Sequence, residues 1–77
     1  MLSEDDARHL LDELCVEFGF CLPPDERARL ATAPPDDVEA ITRAVFLAEG
    51  LPPERASRRI YREVRDSVAA AFRRAGA

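Results

Sequence analysis

Apolar residues recur at intervals of three and four along most of this chain, which is the spacing of one face of an α-helix. Four segments show this period, at residues 4–18, 24–32, 35–49 and 53–75. In the first segment, the apolar stripe consists of Ala7, Leu10, Leu11, Leu14, Cys15 and Phe18. No segment alternates convincingly with the two-residue period of a strand. The pattern therefore predicts an all-α fold, a compact four-helix bundle with a short second helix and a long C-terminal helix.

Local signals mark where these helices begin and end. The six prolines form three pairs, each followed by acidic residues, in "LPPDE" (22–26), "APPDD" (33–37) and "LPPER" (51–55). Because proline and carboxylates both suit the first turn of a helix, each pair predicts a helix start. Ser3 and Asp6 predict a capping box at the first helix. Gly19 and Gly50 are predicted to end the first and third helices in the left-handed conformation, with Phe46 and Leu51 spaced for a Schellman turn.

Length and composition limit the class of protein. Seventy-seven residues are enough for one domain, residues 1–77, and 47% hydrophobic with 34% charged residues is typical of a globular chain. No apolar run exceeds five residues, as in "AVFLA" (44–48), which is far too short to cross a bilayer, and the first residues are acidic where a signal peptide is basic. We therefore expect a cytoplasmic protein that does not associate with membranes.

Charge is divided unevenly along the chain. Residues 1–50 carry twelve acids and four arginines, a net charge of −8. Residues 51–77 carry three acids and seven arginines, a net charge of +4. The overall charge of −4 is therefore the balance of an acidic N-terminal part and a basic C-terminal helix.

The stretch "CVEFGFC" (15–21) contains both cysteines. Cys15 belongs to the apolar stripe of the first helix and Cys21 follows the glycine turn, so we interpret them as two structural thiols. A disulfide across the turn stays open as an alternative. A metal site is disfavoured, because structural zinc usually takes four ligands and His9 points about 200° away from Ala7 on the same helix. We expect neither a metal nor a cofactor.

No arrangement of residues indicates catalysis. Ser3, Ser57 and Ser67 form no recognisable nucleophile motif with His9, and the chain has no glycine-rich phosphate loop. So small a bundle rarely provides the concave pocket that an active site needs. We therefore expect a protein that is not an enzyme.

Two surfaces remain as candidate binding sites. One combines acidic and isolated apolar residues on the outer side of the first helix and beyond it, and would suit a basic protein surface. Its members are His9, Asp12, Glu13, Val16, Phe20 and Leu47. The other is the arginine face of the last helix, which would suit phosphate groups of nucleic acid. Its members are Arg55, Arg58, Arg62 and Arg65.

The arginine face also has a simpler interpretation. Three pairs of opposite charge are spaced for i,i+4 contacts along a helix. They are Glu54 with Arg58, Arg59 with Glu63, and Arg62 with Asp66. A solvated helix face stabilised by such pairs needs no ligand, and the net charge of −4 argues against a dedicated nucleic-acid binder.

Three stretches carry a resemblance, "LCVEFGFCLPP" (14–24), "AVFLAEGLPPE" (44–54) and "IYREVRDSVAAAF" (60–72). In these the chain resembles a group of small bacterial helical proteins without an assigned activity. In size, acidity and helix content it is also similar to immunity proteins and antitoxins, which neutralise a toxic partner through an acidic face. The specific motifs of the colicin-nuclease immunity family are absent, so no binding residue follows from the resemblance.

From these observations we expect a non-enzymatic protein-binding module, immunity- or antitoxin-like, that contacts a basic protein partner through its acidic N-terminal half. It would be a monomer or a weak homodimer. The alternative is a small nucleic-acid-associated regulator that uses the arginine face of the last helix.

Overall fold

The protein folds as a bundle of four α-helices, here described from a computed structural model for residues 2–76. The first and last residues of the predicted domain lie outside this range. The elements in chain order are α1 (Glu4–Phe18), α2 (Pro24–Thr32), α3 (Val38–Ala48), a one-turn 3₁₀ helix (Pro53–Arg55) and α4 (Arg58–Gly76). None of residues 2–76 forms a β-strand. The predicted all-α four-helix bundle, with its short second helix, is confirmed.

Helix α1 begins and ends as its local sequence predicts. The Ser3 hydroxyl accepts a hydrogen bond from the Asp6 N–H at 3.0 Å, and the Asp6 carboxylate accepts one from the Ser3 N–H at 3.2 Å. Gly19 ends the helix with a left-handed φ of 74°. The N–H of Gly19 donates to the Cys15 carbonyl at 3.0 Å, which is the single bond of an αL motif, and the N–H of Phe20 donates to the Leu14 carbonyl at 3.2 Å.

Helix α3 also ends at a left-handed glycine, here with the two hydrogen bonds of a Schellman motif. Gly50 has a φ of 74°, and its N–H donates to the Leu47 carbonyl at 3.0 Å. The N–H of Leu51 donates to the Phe46 carbonyl at 3.0 Å. Both glycine predictions are therefore confirmed, because a left-handed turn at these positions lets the last carbonyls of each helix find donors.

Two of the predicted helix starts are wrong. Helix α3 begins three residues later than predicted, after Asp37, whose carboxylate accepts a hydrogen bond from the Ala40 N–H at 2.9 Å. Pro53 starts only a single 3₁₀ turn, because the backbone of Ala56 is extended and does not continue the helix. Helix α4 then begins after Ser57, whose hydroxyl accepts from the Ile60 N–H at 3.1 Å. At each of these two starts the helix is capped by a side-chain acceptor that satisfies one free amide, and the proline pair lies before the cap.

The core lies where α1 and α3 each pack against α4. Helix α2 packs against α1. Its fully buried side chains are Leu10, Leu14, Thr42, Val45, Phe46, Val64 and Val68. The Thr42 hydroxyl donates to the Val38 carbonyl at 2.8 Å, so this buried polar group is satisfied. The Phe46 ring lies between Phe20, edge-on at 5.1 Å, and Tyr61, stacked at 5.2 Å between centroids.

Cys15 and Cys21 form a disulfide, so the prediction of two free thiols is wrong. Cys15 lies in the last turn of α1, and the left-handed Gly19 reverses the chain directly after it. The reversal brings the Cα atoms of the two cysteines to 4.3 Å, although six positions separate them in sequence. The bond therefore joins the end of α1 to the segment that leads into α2.

Candidate functional site

Four of the six residues predicted for the acidic surface lie together on the outer side of α1. His9, Asp12, Glu13 and Val16 line an open depression of about 340 Å³, and Glu17 completes it. They share this side because they stand opposite the buried stripe that contains Leu10 and Leu14. Val16 is 84% exposed, which is the highest exposure of any large hydrophobic residue in the described part of the chain.

Two carboxylates of this depression are paired with arginines from neighbouring helices. Asp12 accepts a hydrogen bond from Arg27 of α2, and Glu13 pairs with Arg74 of α4 at 3.2 Å. Helix α1 as a whole carries six acids and one arginine, a net charge of −5. Counting both arginine partners leaves the helix at −3, and it leaves the three carboxylates of the depression, Asp12, Glu13 and Glu17, at −1.

The other two predicted members do not line the depression. Phe20 packs into the core edge-on against Phe46. Its partial burial has a local cause, because the left-handed Gly19 reverses the chain directly before it and the Phe20 N–H bonds back to the Leu14 carbonyl. The glycine turn was the sequence signal for this contact. Leu47 is 58% exposed but lies on α3, outside the depression.

A second and larger concavity, of about 570 Å³, lies between α3, the 3₁₀ turn and α4. Its wall consists of Arg43, Pro53, Glu54, Ala56, Arg58, Tyr61, Arg62 and Arg65. Three of the four arginines predicted for the basic face therefore line it, whereas Arg55 does not. Sequence patterns on one helix could not reveal Arg43, which comes from α3.

The arginines of this concavity differ in their partners. Arg43 pairs with Glu54 at 3.5 Å, and Arg65 pairs with Glu39 at 3.2 Å. Arg58 and Arg62 have no carboxylate within 4.0 Å among residues 2–76. Two guanidinium groups at the start of α4 thus have no ionic partner within the described residues.

Only one of the three predicted i,i+4 pairs is present in the described chain. Arg59 contacts Glu63 at 3.7 Å. Glu54 contacts Arg43 instead of Arg58, because Glu54 belongs to the 3₁₀ turn and does not share a helix with Arg58. We have no physical account of why Arg62 and Asp66 do not pair.

Tyr61 lies at the edge of the arginine-lined concavity. Its hydroxyl donates a hydrogen bond to Glu39 at 2.8 Å. Partial burial, followed by this hydrogen bond and the negative charge of Glu39, raises the pKa of Tyr61 above its ordinary value. Glu39 therefore joins Tyr61 and Arg65 in one polar network between α3 and α4.

Within residues 2–76 no three histidine, cysteine or acidic side chains are grouped so that they could hold a metal ion. None of the described helices is both long and apolar enough to cross a membrane. No protein-family model, curated protein or solved structure matches this chain. The two surfaces are therefore the features of the described chain that bear on function.

Proposed function

We propose that this protein is a non-enzymatic protein-binding module, immunity- or antitoxin-like, that contacts a basic protein partner through the outer side of α1. The observation that carries the proposal is the exposure of Val16, at 84%, within a helix of net charge −5. An apolar side chain among carboxylates matches a partner surface in which an apolar pocket is ringed by arginine or lysine.

The energetics of such a contact divide between the apolar residue and the charges. Burying a valine side chain completely contributes about 1.5 kcal/mol or more. The carboxylates mainly accelerate association and select a basic partner. Asp12 is well exposed despite its bond to Arg27, with a side-chain exposure of 63%. Because exposed ion pairs contribute little, a partner's arginine can replace Arg27 at small cost.

The proposal places the protein in the cytoplasm as a monomer or a weak homodimer. Cytoplasmic thiols are normally kept reduced, so Cys15 and Cys21 would there be present as a dithiol. The bundle must then remain folded without its disulfide. A measurement of stability in the reduced state therefore also tests the proposed compartment.

The test compares matched variants in an affinity purification from the native host. Tagged parent protein, Val16→Arg and Leu47→Arg are used at equal amounts, and the captured proteins are quantified by mass spectrometry. Both substitutions place an arginine at an exposed aliphatic position, so Leu47→Arg controls for the added charge. We expect Val16→Arg to lose a basic partner that Leu47→Arg and the parent retain.

The captured partner is then purified, and its association rate and equilibrium affinity are measured by surface plasmon resonance at two salt concentrations. We expect the association rate to fall as salt rises and Val16→Arg to weaken the equilibrium affinity. Equal capture by all three proteins, or loss only with Leu47→Arg, would show that α1 is not the binding surface.

A nucleic-acid-associated regulator is the second candidate, favoured by the unpaired Arg58 and Arg62. Phosphate contacts release counterions, so affinity would fall steeply with salt. The test is fluorescence anisotropy with single-stranded and duplex DNA and RNA at about 150 mM salt. A variant with glutamine at Arg55, Arg58, Arg62 and Arg65 is the comparison. We expect no sub-micromolar binding by the parent; tight binding abolished in this variant would promote the second candidate.

A further inference from the structure

We infer that the arginine-lined concavity between α3 and α4 binds the phosphate group of a small phosphorylated molecule, with Arg58 and Arg62 as its direct contacts. This site is separate from the outer side of α1 and goes beyond the proposed protein contact. It combines a concave shape with guanidinium groups that have no carboxylate partner in the described chain.

The chemistry of the wall selects an anion with several oxygens. A guanidinium presents five N–H donors in a planar fork that matches phosphate oxygens. Arg43 and Arg65 are each held by one carboxylate, from Glu54 and Glu39 respectively. One carboxylate occupies at most two of the five donors, so both arginines can still donate to a ligand.

The N-terminus of α4 adds to the positive electrostatic potential that the arginines create in the concavity. Arg58 is both the first residue of α4 and part of the concavity wall. The positive end of the helix dipole therefore lies at the site and favours a bound phosphate. The Ser57 hydroxyl satisfies only the Ile60 amide, which leaves the earlier amides of this first turn without a helical acceptor.

The size of the site favours a small molecule over a nucleic-acid strand. A volume of about 570 Å³ lies within the range of pockets for small molecules. Beyond Arg65 the next arginine of α4 is Arg73, about 12 Å further along the helix axis. Asp66 lies between them, so the basic residues do not form a continuous track for a phosphate backbone. Pro53 and Ala56 supply an apolar wall for the remainder of the ligand.

The experiment titrates the isotopically labelled protein with inorganic pyrophosphate at near-physiological salt and follows backbone and arginine side-chain signals by NMR. Arg58→Gln/Arg62→Gln is the test variant. Arg59→Gln/Arg73→Gln is its matched control, because it removes the same charge from the same helix outside the concavity. Circular dichroism establishes that both variants remain folded.

We expect saturable one-to-one binding, with the changes centred on the concavity. The test variant should lose about tenfold or more in affinity, since two charge-assisted contacts disappear. The control should stay within about twofold, because neither Arg59 nor Arg73 lines the concavity, Arg59 is already paired with Glu63, and exposed charges outside the site are screened by salt. Equal losses of affinity in both variants would show that the effect is general electrostatic attraction and would overturn the site. Chemical-shift changes that rise linearly with pyrophosphate and never saturate would overturn it as well.

A parallel titration with a short single-stranded oligonucleotide distinguishes the source of the phosphate. Tighter binding of the oligonucleotide than of pyrophosphate, weakened by both double variants, would overturn the small-molecule assignment and indicate a nucleic-acid surface instead. The Val16→Arg variant should bind pyrophosphate as the parent does. Failure of this site and failure of the protein-binding proposal can therefore be told apart.

Discussion

Reduction of the Cys15–Cys21 disulfide should lower the free energy of unfolding by about 2 kcal/mol. The bond closes a loop that runs from position 15 to position 21. For so short a loop, the entropy that the cross-link removes from the unfolded chain is about 8 cal/mol/K, which gives this value at room temperature. The loop also contains Phe20, which packs against Phe46 in the core.

The predicted loss is large enough to measure and small enough to leave the bundle folded. A chain of 77 residues has a total stability of about 4 to 12 kcal/mol. With a urea dependence of about 1 kcal/mol per molar for a protein of this size, the unfolding midpoint should fall by about 2 M on reduction. The helix content before unfolding should be unchanged, because the bond lies at the end of α1.

The assay is urea unfolding followed by far-ultraviolet circular dichroism, with and without excess phosphine reductant. A Cys15→Ala/Cys21→Ala variant controls for other effects of the reductant and should respond to neither reductant nor chelator. Alkylation before reduction, followed by mass measurement, reports the redox state of the starting material. Two alkylated thiols in protein purified under oxidising conditions, or equal midpoints with and without reductant, would refute the reasoning.

Three further predictions concern helix ends and the network at Tyr61. Gly50→Val should lower stability by about 1 kcal/mol or more through backbone strain alone, since its φ is 74° and no atom lies within 4 Å of an added Cβ; an unchanged urea midpoint would contradict the left-handed turn. Asp37→Ala and Ser57→Ala should each cost about 1 kcal/mol in the same assay, because each removes an N-cap; if either is neutral, its helix does not depend on that cap. Tyr61 is the only tyrosine of the chain, so an ultraviolet pH titration should show a single tyrosine pKa, above the ordinary value of that side chain. Glu39→Gln should lower this pKa. A pKa that does not change in this variant would exclude Glu39 as a cause of the shift.

The features that could be predicted from the sequence are those decided by neighbouring residues. The bounds of α1 follow from the apolar period and from its caps, and α2 starts at Pro24 as its proline pair predicts. Gly19 and Gly50 end their helices because glycine alone adopts the left-handed conformation without strain. The exposure of Val16 follows from its angle to the buried stripe. Proline pairs were a weaker signal, because a fixed φ is compatible with a turn as well as with a helix.

The features that the sequence left undecided depend on contacts between segments. The disulfide requires the reversal at Gly19 to bring Cys21 back to Cys15, and the pairing of Asp12 and Glu13 requires arginines from α2 and α4. The arginine-lined concavity exists because α3 contributes Arg43 opposite the start of α4. Helical periodicity predicts which face of one helix is polar. Only the packing of the helices decides which polar faces meet, and therefore which arginines pair with a carboxylate and which can bind a ligand.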